Sequence, residues 1–143
     1  MARWRETEKD RKNQRQALIK IESLFGWDID ELNVRYTADW LAFKDAKEVA
    51  LVEYKRRNYS HDQFPTIFLE LQKYTFSSLY ANALQIPFVY VNEFDDKIGT
   101  ITPTARDVLE SKVGVESSMY RDDINDTYVM IHLPQDRFTF YDK

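Results

Sequence analysis

Three polar residues in the first half of the chain, Asp39, Glu53 and Lys55, have the types and spacing for metal-assisted chemistry at phosphorus. In a strand, residues two apart share a face, so Glu53 and Lys55 project together while Val52 and Tyr54 point the other way. Asp39 lies on the segment that pairs with theirs, and a short turn between the two strands brings its carboxylate toward Glu53. Two carboxylates on adjacent strands repel each other unless a positive charge sits between them, and Mg²⁺ or Mn²⁺ prefers oxygen ligands of this kind. Such an ion polarises a phosphate and lowers the pKa of an attacking water, while Lys55 adds positive charge where negative charge develops.

The elements that must position these residues can be read from hydrophobic periodicity. Ala17, Leu18, Ile21, Leu24 and Phe25 recur at helical spacing, predicting an amphipathic helix over Glu8 to Phe25 that stops at Gly26, with a polar connection through Asp28 and Asp30. Tyr36 to Phe43 is rich in strand formers, Lys44 to Lys47 reads as a turn, and Glu48 to Lys55 resumes as a strand, so a β-hairpin carries all three residues. Phe64, Ile67, Phe68, Leu71, Thr75, Leu79 and Ala83 then fall three and four apart, predicting a second helix over Phe64 to Gln85 with Pro65 in its first turn. Strands are expected at Ile86 to Phe94 and Ile98 to Ile101, a weak helix at Thr104 to Lys112, and a last strand at Thr127 to Leu133, closed by Pro134. This order implies an α/β or α+β chain, a mixed sheet flanked by helices.

Composition narrows the function classes. At 143 residues one domain is expected, and 43% hydrophobic with 15% aromatic residues is too apolar for a disordered chain. Only 3 glycines leave no glycine-rich phosphate loop, so a Walker-type NTPase is excluded, and the lack of cysteine removes disulfides, thiolate zinc sites and cysteine nucleophiles. A metal must therefore be held by oxygen or imidazole. The charged start and the lack of a membrane-length apolar run lead us to expect a cytoplasmic protein without a membrane partner. Net charge is −4 but unevenly spread: residues 1–20 carry seven Lys or Arg against three acids, residues 93–126 four against nine, so one end suits approach to phosphate.

The pattern resembles the PD-(D/E)XK nucleases, among them restriction enzymes, repair nucleases and archaeal Holliday-junction resolvases. The pieces that carry the likeness, over about residues 10 to 100, are Asp39, preceded by Ala38 where the family often has proline, the Glu53-Tyr54-Lys55 triplet ending an apolar strand, and a helix on either side of the hairpin. It implies a restriction-endonuclease-like α/β fold with a mixed central sheet, Asp39 and Glu53 as ligands of Mg²⁺ (or Mn²⁺), the Tyr54 carbonyl as a further ligand, and Lys55 as catalytic lysine. It also suggests Glu22, bordering the apolar stripe of the first helix, as a third acid, and Gln72 and Lys73 of the second helix as residues aimed at the scissile phosphate. Arg56 and Arg57 extend the strand past the triplet, where guanidinium forks suit phosphate oxygens.

A triplet of this kind is cheap by itself: Glu110-Ser111-Lys112 is a second one, in an acidic region with no apolar strand before it. His61 and His132 belong to no metal motif and read as structural or exposed, and Asp122 to Asp126 lacks the turn glycine and closing glutamate of a calcium loop. Residues from about 101 to 143 are expected to form a C-terminal extension, of which Arg121 to Phe138 is loosely similar to that of some small phage-encoded proteins with this core. Together these readings predict a metal-dependent deoxyribonuclease, structure-selective toward recombination or repair intermediates, with RNA an open substrate and a homodimer the expected assembly. The rival expectation is an inactive module that keeps the fold to bind nucleic acid or protein.

Overall fold

The computed structural model describes residues 8–32, 38–117 and 127–143. Helix α1 (Glu8–Phe25) buries Ala17 and Ile21, four apart on one face, and leaves Ile19 in solvent. Gly26 ends it at φ +66°, the left-handed conformation that costs a side chain most, and its N–H donates to the Glu22 carbonyl at 2.9 Å. The next residues are not a simple connection: Asp28–Glu31 form strand β1, paired antiparallel with β2.

The expected hairpin is present as β2 (Trp40–Lys44) and β3 (Lys47–Arg56), while residues 36 and 37 of the predicted first strand lie outside the described residues. Its turn places Asp45 at φ 51° and Ala46 at φ 64°, the paired positive values whose twist suits a two-residue hairpin loop. Residues 50–53 of β3 are all buried because the strand has a neighbour on each side and layers on both faces.

The predicted start of the second helix needs correction. Thr66–Glu70 form a strand, β4, in which Ile67 and Leu69 are buried and their neighbours half-buried. This alternation of period two, together with pairing to β8, outweighs the helical spacing seen in the sequence. Helix α2 begins only at Leu71 and runs to Leu84, ending with Gln85 in the left-handed region at φ 59°. Its buried residues are the small Ser77 and Ala81, whereas Leu79 and Leu84 are 62% and 50% exposed. The helix therefore docks along a stripe in which Ser77 and Ala81 are buried and Leu71 and Tyr74 are half-buried against the core.

Strands β5 (Phe88–Glu93) and β6 (Lys97–Ile101) follow, then α3 (Ala105–Glu110), capped by Thr104, β7 (Lys112–Ser117), β8 (Thr127–Pro134) and β9 (Thr139–Asp142). The calcium-loop candidate, Asp122 to Asp126, lies outside the described residues. Six strands form a mixed sheet in the order β1-β2-β3-β5-β6-β9, with β3 and β5 parallel and the other neighbours antiparallel; β4-β8-β7 form a second, antiparallel sheet. One face of the large sheet, with Trp40, Val52 and Val91, packs on α1 through Ala17 and Ile21. The other, with Leu51, Phe88 and Tyr90, packs on Ala81 of α2 and on Ile67, Ile131 and Leu133 of the small sheet. The C-terminal residues are thus no appendage: β9 pairs with β6 and extends the central sheet.

Candidate active site

The β2–β3 ladder reaches Trp40 opposite Val52, and the Asp39 N–H donates to the Val52 carbonyl at 3.0 Å, so Asp39 and Glu53 stand opposite each other at the next step. There the ladder opens. The Tyr54 N–H donates to Asp39 Oδ2 at 2.9 Å, a side chain taking the place of a strand carbonyl. Beyond this point lies a cleft of about 580 Å³, bounded by α1, the end of β3 and the start of α2. Asp39, Glu53, Tyr54 and Lys55 all line it, so the structure brings together the residues singled out in the sequence.

Glu53 is the most constrained group in the cleft. Its side chain is 6% exposed, Oε1 accepts from the Lys73 ammonium at 2.6 Å, and Oε2 is sequestered with no hydrogen-bond partner among the described residues. Burial, then the charge of Asp39, pushes its pKa up to about 8, against the pull of Lys73. Burial also raises the pKa of Asp39, opposed by the Tyr54 N–H, by Lys73 and by a hydrogen bond from Gln14 of α1. Lys55 is held below its ordinary value, first by desolvation and then by repulsion from Arg57 and Lys73. Burial works the same way on Lys73, but attraction and hydrogen bonding to Glu53 outweigh it and raise its pKa.

Tyr54 fixes the strand from the other face. Its ring stacks on Trp40 at 5.1 Å between centroids, and its hydroxyl donates to Glu93 Oε1 at 2.7 Å. Glu93 Oε2 accepts from Lys20 at 2.7 Å and Lys143 at 2.9 Å. Burial would raise the pKa of Glu93, but the donors Lys20, Lys143 and Tyr54 hold it down at about 2. The peptide between Glu53 and Lys55, whose carbonyl the sequence offered as a ligand, is thereby anchored to α1 and to the C-terminal residue.

The remaining sequence candidates divide. Lys73 enters the cleft through Glu53, but Gln72 is exposed and lines neither this cleft nor a smaller cavity beside it. Glu22 is turned away from the site: its Oε2 accepts the Ile29 N–H at 2.9 Å, tying α1 to β1, and it is absent from the cleft wall. The helix face that reaches Asp39 lies two turns earlier, at Gln14. Arg56 lies on the rim, bonded to Asp95 at 2.7 Å and to the Glu93 carbonyl at 2.9 Å. Arg57 is a structural clamp instead, donating to Asn92 Oδ1 at 2.9 Å, the Phe68 carbonyl at 2.7 Å and the Tyr90 hydroxyl at 2.8 Å. The rival triplet falls apart, since Glu110 pairs with Arg106 at 2.8 Å on exposed α3 while Lys112 begins β7.

Sequence reasoning missed Gln14, Lys20 and Glu93. A signal for the first existed, because the buried stripe of Ala17 and Ile21, continued one turn back, ends on Gln14. Glu93 closes an otherwise buried strand, another place where a charge must have partners. The structure also gathers His61, Asp62 and Asp96 on the surface, with potential ligand atoms within 4.8 Å of one another. His61 donates or accepts there through Nδ1, 2.6 Å from Asp96 Oδ2, and its N–H binds Asp96 Oδ1 at 2.9 Å. His132 lies on β8 with its ring 4.3 Å from that of Phe68.

A family model described as phage putative PDDEXK endonuclease matches residues 1–140. Among solved structures, Hjc of Archaeoglobus fulgidus, a Holliday junction resolvase from an archaeal hyperthermophile, is similar with a TM-score of 0.58, covering 90% of this chain and 86% of that one at 9% identity. That likeness establishes the fold, a central mixed sheet flanked by helices. No curated protein matches the chain.

Proposed function

Since the chain belongs to the phage putative PDDEXK endonuclease family, we propose that it is a divalent-metal-dependent nuclease that hydrolyses phosphodiester bonds in DNA at the cleft of Asp39, Glu53 and Lys55. The observation that carries this reading is the buried Glu53 carboxylate, with one oxygen unpartnered and its pKa pushed up to about 8 beside a second acid. A buried carboxylate oxygen without a donor, beside a second acid, suits a hard cation as ligand. Asp39, Glu53 and the Tyr54 carbonyl would hold Mg²⁺ or Mn²⁺, and Glu22 is left out of this set because it bonds elsewhere. When bound, the cation supplies Lewis acidity at a phosphate oxygen and makes water a better nucleophile.

The chain's own residues do the rest. Asp39 is held in place by the Tyr54 N–H and Gln14, so its free carboxylate edge is fixed before any ligand arrives. Lys55, at the cleft wall, sets an ammonium against the charge that develops on the phosphate. Lys20, Arg56 and Lys73 line the same cleft and offset the repulsion of an anionic backbone. Gln72 has no role in the reading, and Arg57 serves by holding the end of β3 to β5 and β4.

Branched or otherwise distorted DNA is the proposed substrate, because none of the described residues at the cleft resembles a base-reading cassette, and the host cytoplasm is the proposed place of cutting. No helix among the described residues is long and apolar enough to cross a membrane. A homodimer is the proposed working form, and the exposed Phe76, Leu79 and Leu84 of α2 offer it an apolar surface. The test is cleavage of branched, linear duplex, single-stranded DNA and RNA with Mg²⁺, Mn²⁺ or EDTA. We expect cutting of branched DNA with either metal, none in EDTA, none by Glu53→Ala, and a rate about 10²- to 10³-fold lower by Lys55→Ala. Full activity in either variant would remove the site.

A further inference from the structure

Lys73 reaches Glu53 from an exposed base: its side chain is 40% exposed against 6% for the carboxylate, and the ion pair closes at 2.6 Å. Only one oxygen of Glu53 is used, and the other is left unpartnered in the interior. Glu53, Lys55 and Lys73 line both the main cleft and the smaller cavity of about 170 Å³, so the ion pair lies on the partition between the two. Across that cavity stands Glu70, the residue before α2 and three positions ahead of Lys73, whose charge already attracts the ammonium. Lys73 is therefore attracted by three acids, Glu53 and Asp39 in the catalytic cleft and Glu70 outside it.

A lysine ammonium on one oxygen of a carboxylate would compete by charge with a divalent cation held by the other, and a cation at Asp39 and Glu53 would repel it in turn. From this geometry, and resting on the metal-site reading above, we propose that Lys73 is an exchangeable placeholder, holding Glu53 while no divalent cation is bound and yielding it by swinging into the smaller cavity toward Glu70. The pair keeps the buried carboxylate from being stranded without a counter-charge in the empty site. It also makes metal binding and the position of Lys73 one coupled equilibrium, so that the Lys73 ammonium is released only after the site is loaded.

The experiment uses the whole chain and no activity assay. Mn²⁺ binding is measured by calorimetry for wild type, Lys73→Met and Glu53→Gln, and the Lys73 ammonium is followed by nitrogen-detected resonance during Mg²⁺ titration of wild type and Glu70→Gln. If, above about pH 8 where Glu53 is ionised, the ion pair holds about nine-tenths of the metal-free molecules, its removal tightens Mn²⁺ binding at that pH about tenfold. We expect that gain in Lys73→Met, a Lys73 signal that moves on saturation with Mg²⁺, and a smaller movement in Glu70→Gln. Unchanged or weaker binding by Lys73→Met, or a Lys73 signal that stays still in saturated wild type, overturns the placeholder. Loss of binding in Glu53→Gln with no gain in Lys73→Met overturns it alone, leaving the metal site standing, whereas equal binding by Glu53→Gln and wild type overturns both. Should Lys73→Met fail to fold, the wild-type ammonium signal still decides.

Discussion

Replacing Glu53 with glutamine should stabilise the metal-free protein at alkaline pH and do nothing for it in acid. The carboxylate is 6% exposed, and its pKa rises from an ordinary 4.5 to about 8 on folding. Because the folded value lies above the unfolded one, the folded state holds the proton more tightly. Stability is undiminished below about pH 4.5, falls as pH climbs toward 8, and stays low above it. At about 1.4 kcal/mol per tenfold change in affinity, that rise sets a ceiling of roughly 5 kcal/mol on the penalty. Water penetration beside the partly exposed Lys73 lowers it, and about 2–3 kcal/mol is the expected gain in Glu53→Gln at pH 9. For a chain of 143 residues this corresponds to a melting-point increase of about 5–10 °C.

The assay is thermal melting of wild type and variant at pH 5 and pH 9, in EDTA and in Mg²⁺. In EDTA the variant should exceed wild type at pH 9 and match it at pH 5. In Mg²⁺ the order should narrow or reverse, because only wild type gains stability by binding the cation. A variant less stable than wild type at pH 9 in EDTA would refute the reasoning, since it would mean that the Lys73 contact outweighs the desolvation of Glu53.

Other substitutions separate the roles of neighbouring residues. Lys55→Ala should lower the cleavage rate about 10²- to 10³-fold with melting little changed, because the side chain lies at the cleft wall and its role is electrostatic, as rates and melts of the same preparation would show. Arg57→Ala should instead destabilise the fold by about 2–4 kcal/mol, measured by chemical denaturation, because it takes the donor from Asn92 Oδ1 and unties β3 from Phe68 and Tyr90, which keep only the hydrogen bond to each other. Glu22→Gln should leave Mn²⁺ affinity by calorimetry as in wild type, since the carboxylate serves the Ile29 N–H and not the cleft.

The parts of this molecule legible in its sequence are those set by local periodicity. Helix α1 has its apolar face and its stopping glycine, and the β2–β3 hairpin has strand formers on each side of a short polar turn, so both are read correctly and carry Asp39, Glu53 and Lys55 with them. What failed depended on distant pairing. Strand β1 is four mostly exposed residues, Asp28–Glu31, whose composition signals a loop, and it exists because β2 offers it a free edge. Strand β4 leads into α2 without a turn residue, and Ile67, Phe68 and Leu71 satisfy a helical spacing as well as a strand's; only β8, some sixty residues on, decides between them. Glu22 and Gln14 illustrate the same limit within a single helix, where periodicity gives the buried face but not which end of that face meets the acids.

That late decision at β4 bears directly on the chemistry. Had the helix begun at Phe64, Lys73 would lie in its middle; with Thr66–Glu70 as a strand, Lys73 lies in the first turn of α2, directly after the small sheet. The first turn of a helix exposes unpaired N–H groups and positive dipole, an unfavourable place for a lysine and a favourable one for an acid. No acid occupies the first turn of α2, and its N-cap, Glu70, makes no side-chain hydrogen bond to the helix. A lysine at this position is repelled by the helix end it stands on, so what draws it toward Glu53 is the charge of the acids, Glu53 first and then Asp39. The local fold thus supplies Lys73 as a counter-charge held by the acids and not by the helix, so a cation that neutralised those acids would remove what holds it.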